Sequence, residues 1–328
     1  MDLRKLQFIG GSSYMISIPK KWVEKNELSS GDRVAVSMYE NHIIITPPRI
    51  SEQEFLKKAV IKGLPQLSGD FLRRFIYALY IQGFDEIVIE TEMPTKIVGK
   101  ISEIIWSLIG MEIIDSSGNR IVMRCLNDPS FDIFSVLSRL VQITIDMLEG
   151  IEDGIREEDF SSLPDIAKLE KDADRLYMLA TRIEHRSISD TNMAVKWDDI
   201  KTIVGIRLIA KLIEEIADFL KDYAEHVSRI DKSYFKLHLE LLGKIKELFE
   251  KVYKAYLDSD LNSAEATMHQ LNRLMDEIKN LMEEDRMGYY ILSLDDLYYV
   301  CKNIKSILEI AFNKGVRKYL AGMTSKTP

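Results

Sequence analysis

The spacing of apolar residues changes twice along this chain, and each change marks a boundary. In residues 1–50 the period is two. Tyr14, Ile16 and Ile18 interleave with Met15 and Ser17, and Val34, Val36 and Met38 with Ala35 and Ser37, the pattern of half-buried strands. Between them Ser17-Ile18-Pro19-Lys20 opens a short helical stretch, with proline early in the helix where its missing N–H costs least. That stretch stops by Ser29-Ser30-Gly31. Glu40-Asn41 reads as a tight turn into HIIIT (42–46), and Pro47-Pro48 closes the unit. HIIIT is apolar at consecutive positions, so both faces of that strand are expected to be covered. Fifty residues are marginal for an independent core, so a second copy of the chain is expected to supply the cover.

Residues 51–127 mix periods. FLKKAVIKGL (55–64), GDFLRRFIYALYIQ (69–82) and TKIVGKISEIIWSLIG (95–110) predict helices. DEIVIE (85–90), MEIID (111–115) and RIVMRCL (120–126) predict strands, the last entered through Ser117-Gly118-Asn119. This is a small α/β region expected to pack between the two ends. From about Phe131 the period is helical throughout. Six long helices are predicted, over 132–153, 163–185, 197–230, 234–257, 263–284 and 293–320, with short breaks between them, as in up-and-down bundles. They fall into two sets of three. LEKDADRLY (169–177) and QLNRLMDEIKN (270–280) hold the same place in each set, and WDDI (197–200) and LDDL (294–297) open the third helix of each. The expected architecture is a multidomain α+β chain with units at 1–50, 51–127, 131–230 and 231–328.

Charge adds a contrast. The chain carries a net −8, yet residues 1–50 hold seven lysines and arginines against five acids, a net of +2, which leaves −10 on the rest. The whole protein is therefore no nucleic-acid sponge, although a local basic patch remains open. No apolar run approaches the roughly 20 residues that span a bilayer, and MDLRKLQFIGGSS lacks the build of a signal peptide. Cys125 and Cys301 are far apart and in no metal-like spacing. A reducing cytoplasm with both thiols buried fits them.

The candidate chemistry lies in the helices. Glu214, Asp218 and Asp222 follow one another at four-residue spacing, and like charges so placed on a helix repel. On a helical wheel Asp218, Asp222 and Glu225 lie within about 80° of Glu214, opposite Ile213, Ile216, Ala217, Leu220, Ala224 and Val227. Alone, this is an amphipathic helix with a wet acidic face. The preceding helix adds Glu170 and Asp174, which sit at the margin of its apolar stripe near Ala167, Met178 and Thr181, away from a wet side carrying Lys168, Lys171, Arg175 and Arg182. Carboxylates at such a margin meet a neighbouring helix, where desolvation is expensive. Adjacent antiparallel helices would gather five carboxylates in one crevice, a set of hard oxygen donors suited to Mg²⁺, Ca²⁺, Mn²⁺ or iron. The Glu-x-x-His pattern of di-iron bundles is absent, since Glu265 and His269 are four apart.

LEKDADRL followed by IRLIAKLIEEIADFLKDYAE resembles the archaeal-type PhoU family of phosphate uptake regulators over roughly residues 131–322. That resemblance implies two three-helix repeats, each with acidic-x-x-x-Asp motifs that bind metal clusters of iron, zinc or other divalent ions such as magnesium or manganese. Glu170 and Asp174 would be one motif, and Glu214 and Asp218 the next, extended by Asp222. The second repeat departs, with Asn272-x-x-x-Asp276 and Glu309-x-x-x-Asn313, so a site there is expected to be weaker. Glu215 and Phe219 stand where the family often has Arg and His. Residues 3–48 resemble the SpoVT/AbrB-like swapped-hairpin DNA-binding domains through GGSSYMISIPKKWVEKNELSSGDRV. This resemblance implies an intertwined homodimer that presents Arg4, Lys5, Lys20, Lys21, Lys25 and Arg33 to double-stranded DNA. Val23 and Glu24 occupy positions where some members have arginines.

Together these imply a dimeric, cytoplasmic, non-enzymatic transcription regulator of phosphate uptake, with metal, and inorganic phosphate as a candidate co-ligand, in the acidic crevice. Two rivals stay open. In one, the bundle is an adaptor on a phosphate transporter or its sensor kinase. In the other, the carboxylates and metal hydrolyse phosphoesters.

Overall fold

The computed structural model describes residues 3–11, 13–39, 42–47, 56–64, 66, 68–91, 95–126, 132–189, 197–284 and 288–324. The first unit contains two hairpins and a short helix. Strand β1 (Gln7–Ile9) pairs antiparallel with β2 (Ser13–Met15), and β3 (Ala35–Tyr39) with β4 (His42–Thr46). Helix α1 (Lys20–Lys25) lies between the hairpins, with Pro19 as its N-cap rather than in its first turn. The predicted turn at Glu40-Asn41 lies outside the described residues. Within one chain β4 is not covered on both faces, because Ile43 is 68% exposed. A lone hairpin has no second layer to lay against it.

The middle unit is a four-stranded sheet of order β5-β6-β8-β7, built from β5 (Lys58–Lys62), β6 (Glu86–Glu90), β7 (Met111–Ser117) and β8 (Arg120–Cys125). Helix α2 (Gly69–Ile81) connects β5 to its parallel neighbour β6, and α3 (Thr95–Trp106) leads to β7. The helical reading of 55–64 is corrected here. Lys58–Lys62 is a strand, paired from Lys58↔Glu86 to Lys62↔Glu90. Its Ile61 joins the small core, and Gly63, at φ +81, ends it by donating to the Glu90 carbonyl. A parallel partner almost thirty residues away outweighed the local helical spacing. Leu72, Ile76 and Tyr80 of α2 and Ile97, Ile101, Ile104 and Ile105 of α3 cover one face of the sheet, over Ile87, Ile89, Ile121 and Met123. On the other face Glu86 is held between Lys58 and Arg124.

Among the described residues six α-helices follow: α4 (Ile133–Glu157), α5 (Leu163–Ser189), α6 (Trp197–Val227), α7 (Phe235–Asp258), α8 (Leu261–Glu284) and α9 (Gly288–Thr324). Asp132 caps α4 by accepting from the Phe134 N–H. One continuous core joins them. Leu140, Met147, Ile206, Ile213, Leu220, Leu241, Ile245, Leu271, Leu297 and Ile304 are all fully or almost fully buried within it. Helix α6 packs on α4, α5 and α9, so the central contact of the bundle is α6 against α9. The Cys301 thiol is buried in this core and pushed up to about 12 by that burial, whereas Cys125 is only half-buried.

The middle unit is bolted to the bundle through α5. Met178 of α5 enters the small core of the sheet unit. One turn on, Arg182 donates to the Tyr80 and Phe84 carbonyls, at 2.8 Å each, and to Asp85 at 2.6 Å. Arg186 also bonds Asp85, whose second oxygen accepts from the Lys57 N–H at 3.0 Å. Arg182 was expected on the wet side of α5, yet its side chain is only 3% exposed. The helical wheel describes one helix and is blind to a second domain that docks on its outer side. The turn that receives these arginines contains Gly83, at φ +81, where a Cβ would lie 2.8 Å from Arg186 Cγ. Gly83→Ala is expected to destabilise the protein by about 1–3 kcal/mol through backbone strain and that contact, read as a lower urea midpoint.

Candidate metal centre and nucleic-acid interface

Helices α5 and α6 run antiparallel, so residues ascending one meet residues descending the other. Glu170 comes within hydrogen-bonding reach of Asp218, and Asp174 within reach of Glu214. Four of the five predicted carboxylates therefore meet as two cross-helix pairs. Asp222 is exposed and, with Asp218, lines a groove between α6 and α9, beside Glu215, Tyr299 and Lys302. Phe219 forms the wall of that groove and stacks on Tyr299 with centroids 5.1 Å apart.

Two lysines of α6 share the crevice, and the sequence reading did not single them out. Lys221 Nζ is 3.2 Å from Glu170 Oε1 and 3.5 Å from Asp218 Oδ1. Lys211 bonds Glu214 and lies 3.5 Å from Glu215. The signal that finds them is their spacing, three residues before Glu214 and three after Asp218. Their choice of partner across the crevice depends on α5.

Electrostatics mark Glu170, Asp174 and Glu214. Burial first, then repulsion from Glu214, Glu170 and Asp218, pushes Asp174 up to about 7. Burial also raises Glu170 against the opposing pull of Lys221, and raises Glu214 against that of Lys211. Carboxyl groups sharing one site resist simultaneous ionisation. Among the described residues no set of three or more His, Cys, Asp or Glu side chains is gathered as a metal-binding group. The donors come in twos. That fits a hard cation bound by one or two carboxylates, with its other positions left to water or phosphate oxygens, the habit of Mg²⁺ in particular.

The weaker site expected in the second repeat looks different. Asn272 accepts from Lys305 at 3.0 Å, while Asp276, Glu309 and Asn313 are exposed. Elsewhere in the bundle His226 Nδ1 lies 2.6 Å from Asp296, a carboxyl pushed up to about 6 by burial against the opposing effect of that histidine. Tyr223 OH meets His238 Nδ1 at 3.0 Å in the core, where burial drives His238 down to about 4.

In the first unit Arg4, Lys5, Lys20, Lys21, Lys25 and Arg33 are all exposed, and Lys20 reaches Glu24 at 3.4 Å on the surface of α1. Among the described residues up to Pro47, Thr46 alone is buried. Phe8, Tyr14, Ile16, Val36, Met38 and Ile43 are exposed. Two hairpins with their apolar side chains facing outward do not close a core on their own.

Comparison with protein-family models adds the decisive observation. Residues 137–227, the span of α4, α5 and α6 that contains both carboxylate pairs, match the PhoU domain. The chain carries a PhoU domain. Residues 7–53 match the antidote-toxin recognition domain of MazE, a bacterial antitoxin, and form an N-terminal MazE/AbrB-like unit. No curated protein and no solved structure matches the chain. Both domain types are regulatory rather than catalytic. Among the described residues no helix is long and apolar enough to cross a membrane.

Proposed function

We propose that the chain is a dimeric DNA-binding transcription regulator of phosphate uptake whose PhoU domain holds a divalent or ferric cation between α5 and α6. The observation that carries the sensing half is the meeting of Glu170 with Asp218 and of Asp174 with Glu214, where Asp174 sits near neutrality at about 7. Paired, half-dehydrated carboxylates favour a cation over continued repulsion. A bound cation would neutralise the pairs and offer its open positions to phosphate oxygens. Glu170, Asp174, Glu214 and Asp218 would hold it.

Coupling to DNA has a physical route. Asp174, Met178 and Arg182 follow at four-residue spacing on one side of α5, so the crevice lies about 12 Å along the helix from the arginine that grips the middle unit. An effector shifts DNA affinity only by its differential affinity for two states of the protein. A change in how α5 lies against α6 moves the middle unit, and with it the N-terminal unit that precedes it in the chain. The exposed apolar hairpins support a dimer as the DNA-reading form, with the basic side chains contacting phosphates and an affinity that falls steeply with salt.

The test is a titration of the full chain against duplex DNA from phosphate-transport promoters at fixed low salt. The expected result is a bound complex whose affinity changes at saturating Mg²⁺ or Mn²⁺ plus phosphate. Affinity that stays constant across those titrations overturns the coupling. Absence of any shift, with capture of transporter subunits instead, replaces it with the adaptor reading. No turnover of a generic phosphomonoester with Mn²⁺ is expected.

A further inference from the structure

We propose that Lys211 and Lys221 are built-in competitors for the cation, each ammonium sitting in the carboxylate crevice and having to leave before a metal ion binds there. The inference rests on the reading above that the α5–α6 carboxylates take a cation. It adds what sets the threshold for binding.

The geometry is that of a tethered counter-ion. Lys221 bridges one cross-helix pair, with Nζ at 3.2 Å from Glu170 on α5 and 3.5 Å from Asp218 on α6. Lys211 bonds Glu214 of the other pair, and its ammonium also lies 5.4 Å over the Tyr177 ring. The two lysines approach from opposite ends of the row, one from the turn before Glu214 and one from the turn after Asp218. Four carboxylates and two ammonium groups leave the crevice at a formal −2, an incomplete neutralisation.

The lysines are well suited to leaving. Their side chains are 37% and 29% exposed, so each head group is near water, and an ammonium is strongly hydrated on a flexible four-carbon stem. A divalent ion brings twice the charge and can bind oxygens of both helices at once. A monovalent ion brings no more charge than the ammonium it must displace and lacks its covalent tether. The arrangement therefore discriminates by charge and raises the cation concentration needed for occupancy. The second repeat is a useful contrast, because there Lys305 meets the amide of Asn272 rather than a carboxylate.

The test has two arms on the full-length protein, with Mn²⁺ as the probe. In the first, Mn²⁺ binding is measured by calorimetry for wild type, Lys211→Met and Lys221→Met. Each variant is expected to bind more tightly, by up to about fivefold, since an exposed ion pair of up to about 1 kcal/mol no longer has to be broken. In the second, wild type is labelled with acetic anhydride and digested for mass spectrometry. Saturating Mn²⁺ is expected to raise acetylation at Lys211 and Lys221 relative to Lys236 and Lys254. Wild-type binding that neither variant exceeds, or acetylation at both lysines that does not rise with Mn²⁺, overturns the competitor role alone. Absence of Mn²⁺ binding by all three proteins sinks the metal reading and this inference together.

Discussion

Arg182→Met is expected to destabilise the protein by about 3–5 kcal/mol, the usual cost of removing one partner from a buried ion pair. The size follows from what is orphaned. Arg182 satisfies the Tyr80 and Phe84 carbonyls at the end of α2 as well as Asp85, and methionine can satisfy none of them. Asp85 keeps Arg186 and the Lys57 N–H, which places the effect toward the lower end of that range. Because those contacts join the middle unit to the bundle, urea unfolding followed by circular dichroism is expected to split. The sheet unit should melt first, before the helices. Arg182→Met/Asp85→Leu should recover part of the loss, since it leaves no buried charge beside an apolar neighbour. A single unshifted transition in the Arg182→Met protein would show that the joint contributes little to stability.

Asp174→Asn combined with Asp218→Asn is expected to weaken Mn²⁺ binding at least about a hundredfold with helicity unchanged, because each substitution removes one of the two carboxylates of a cross-helix pair. Equivalent changes at Asp276 and Glu309 should matter far less, since both side chains stand in solvent. Retention of stoichiometric metal by the double variant would remove these residues from the site. The single change Asp174→Asn also has a pH signature. Asp174 titrates near 7 in the fold and at about 3.9 when unfolded. Between those values the folded state holds a proton that the unfolded state lacks, so this group's contribution to stability is full below about pH 4 and is lost as pH rises through about 7. Asn carries no such charge. The variant should therefore be more stable than wild type at pH 8 by about 1 kcal/mol, allowing for solvent screening in the open crevice. The difference should shrink or reverse at pH 4. Urea midpoints at the two pH values measure this.

Particular residues show what could be read in advance. The helices of the bundle were legible because each repeats its apolar positions over several turns, and a signal averaged over twenty or more residues survives local exceptions. The pairing of Glu170 and Asp174 with Glu214 and Asp218 was legible from two short motifs, once their helices were taken as antiparallel neighbours. Strand β5 was not legible. Five residues flanked by lysines, KAVIK, fit a helical spacing as well as an extended one, and the parallel register with β6 decided between them. Asp222 shares the helical face of its neighbours at 214 and 218, yet it is exposed on the groove beside Tyr299 and Lys302 of α9.

Sequence alone determined the order of the units, the long helices of the C-terminal region and the excess of carboxylates on α5 and α6, because these depend on periodicity and charge along a local segment. Tertiary structure decided which charges are buried. Arg182 became a clamp, Asp174 a near-neutral acid, and Lys211 and Lys221 the occupants of the crevice. Desolvation and ion pairing depend on which elements come together across the fold, and no helix carries that information within itself.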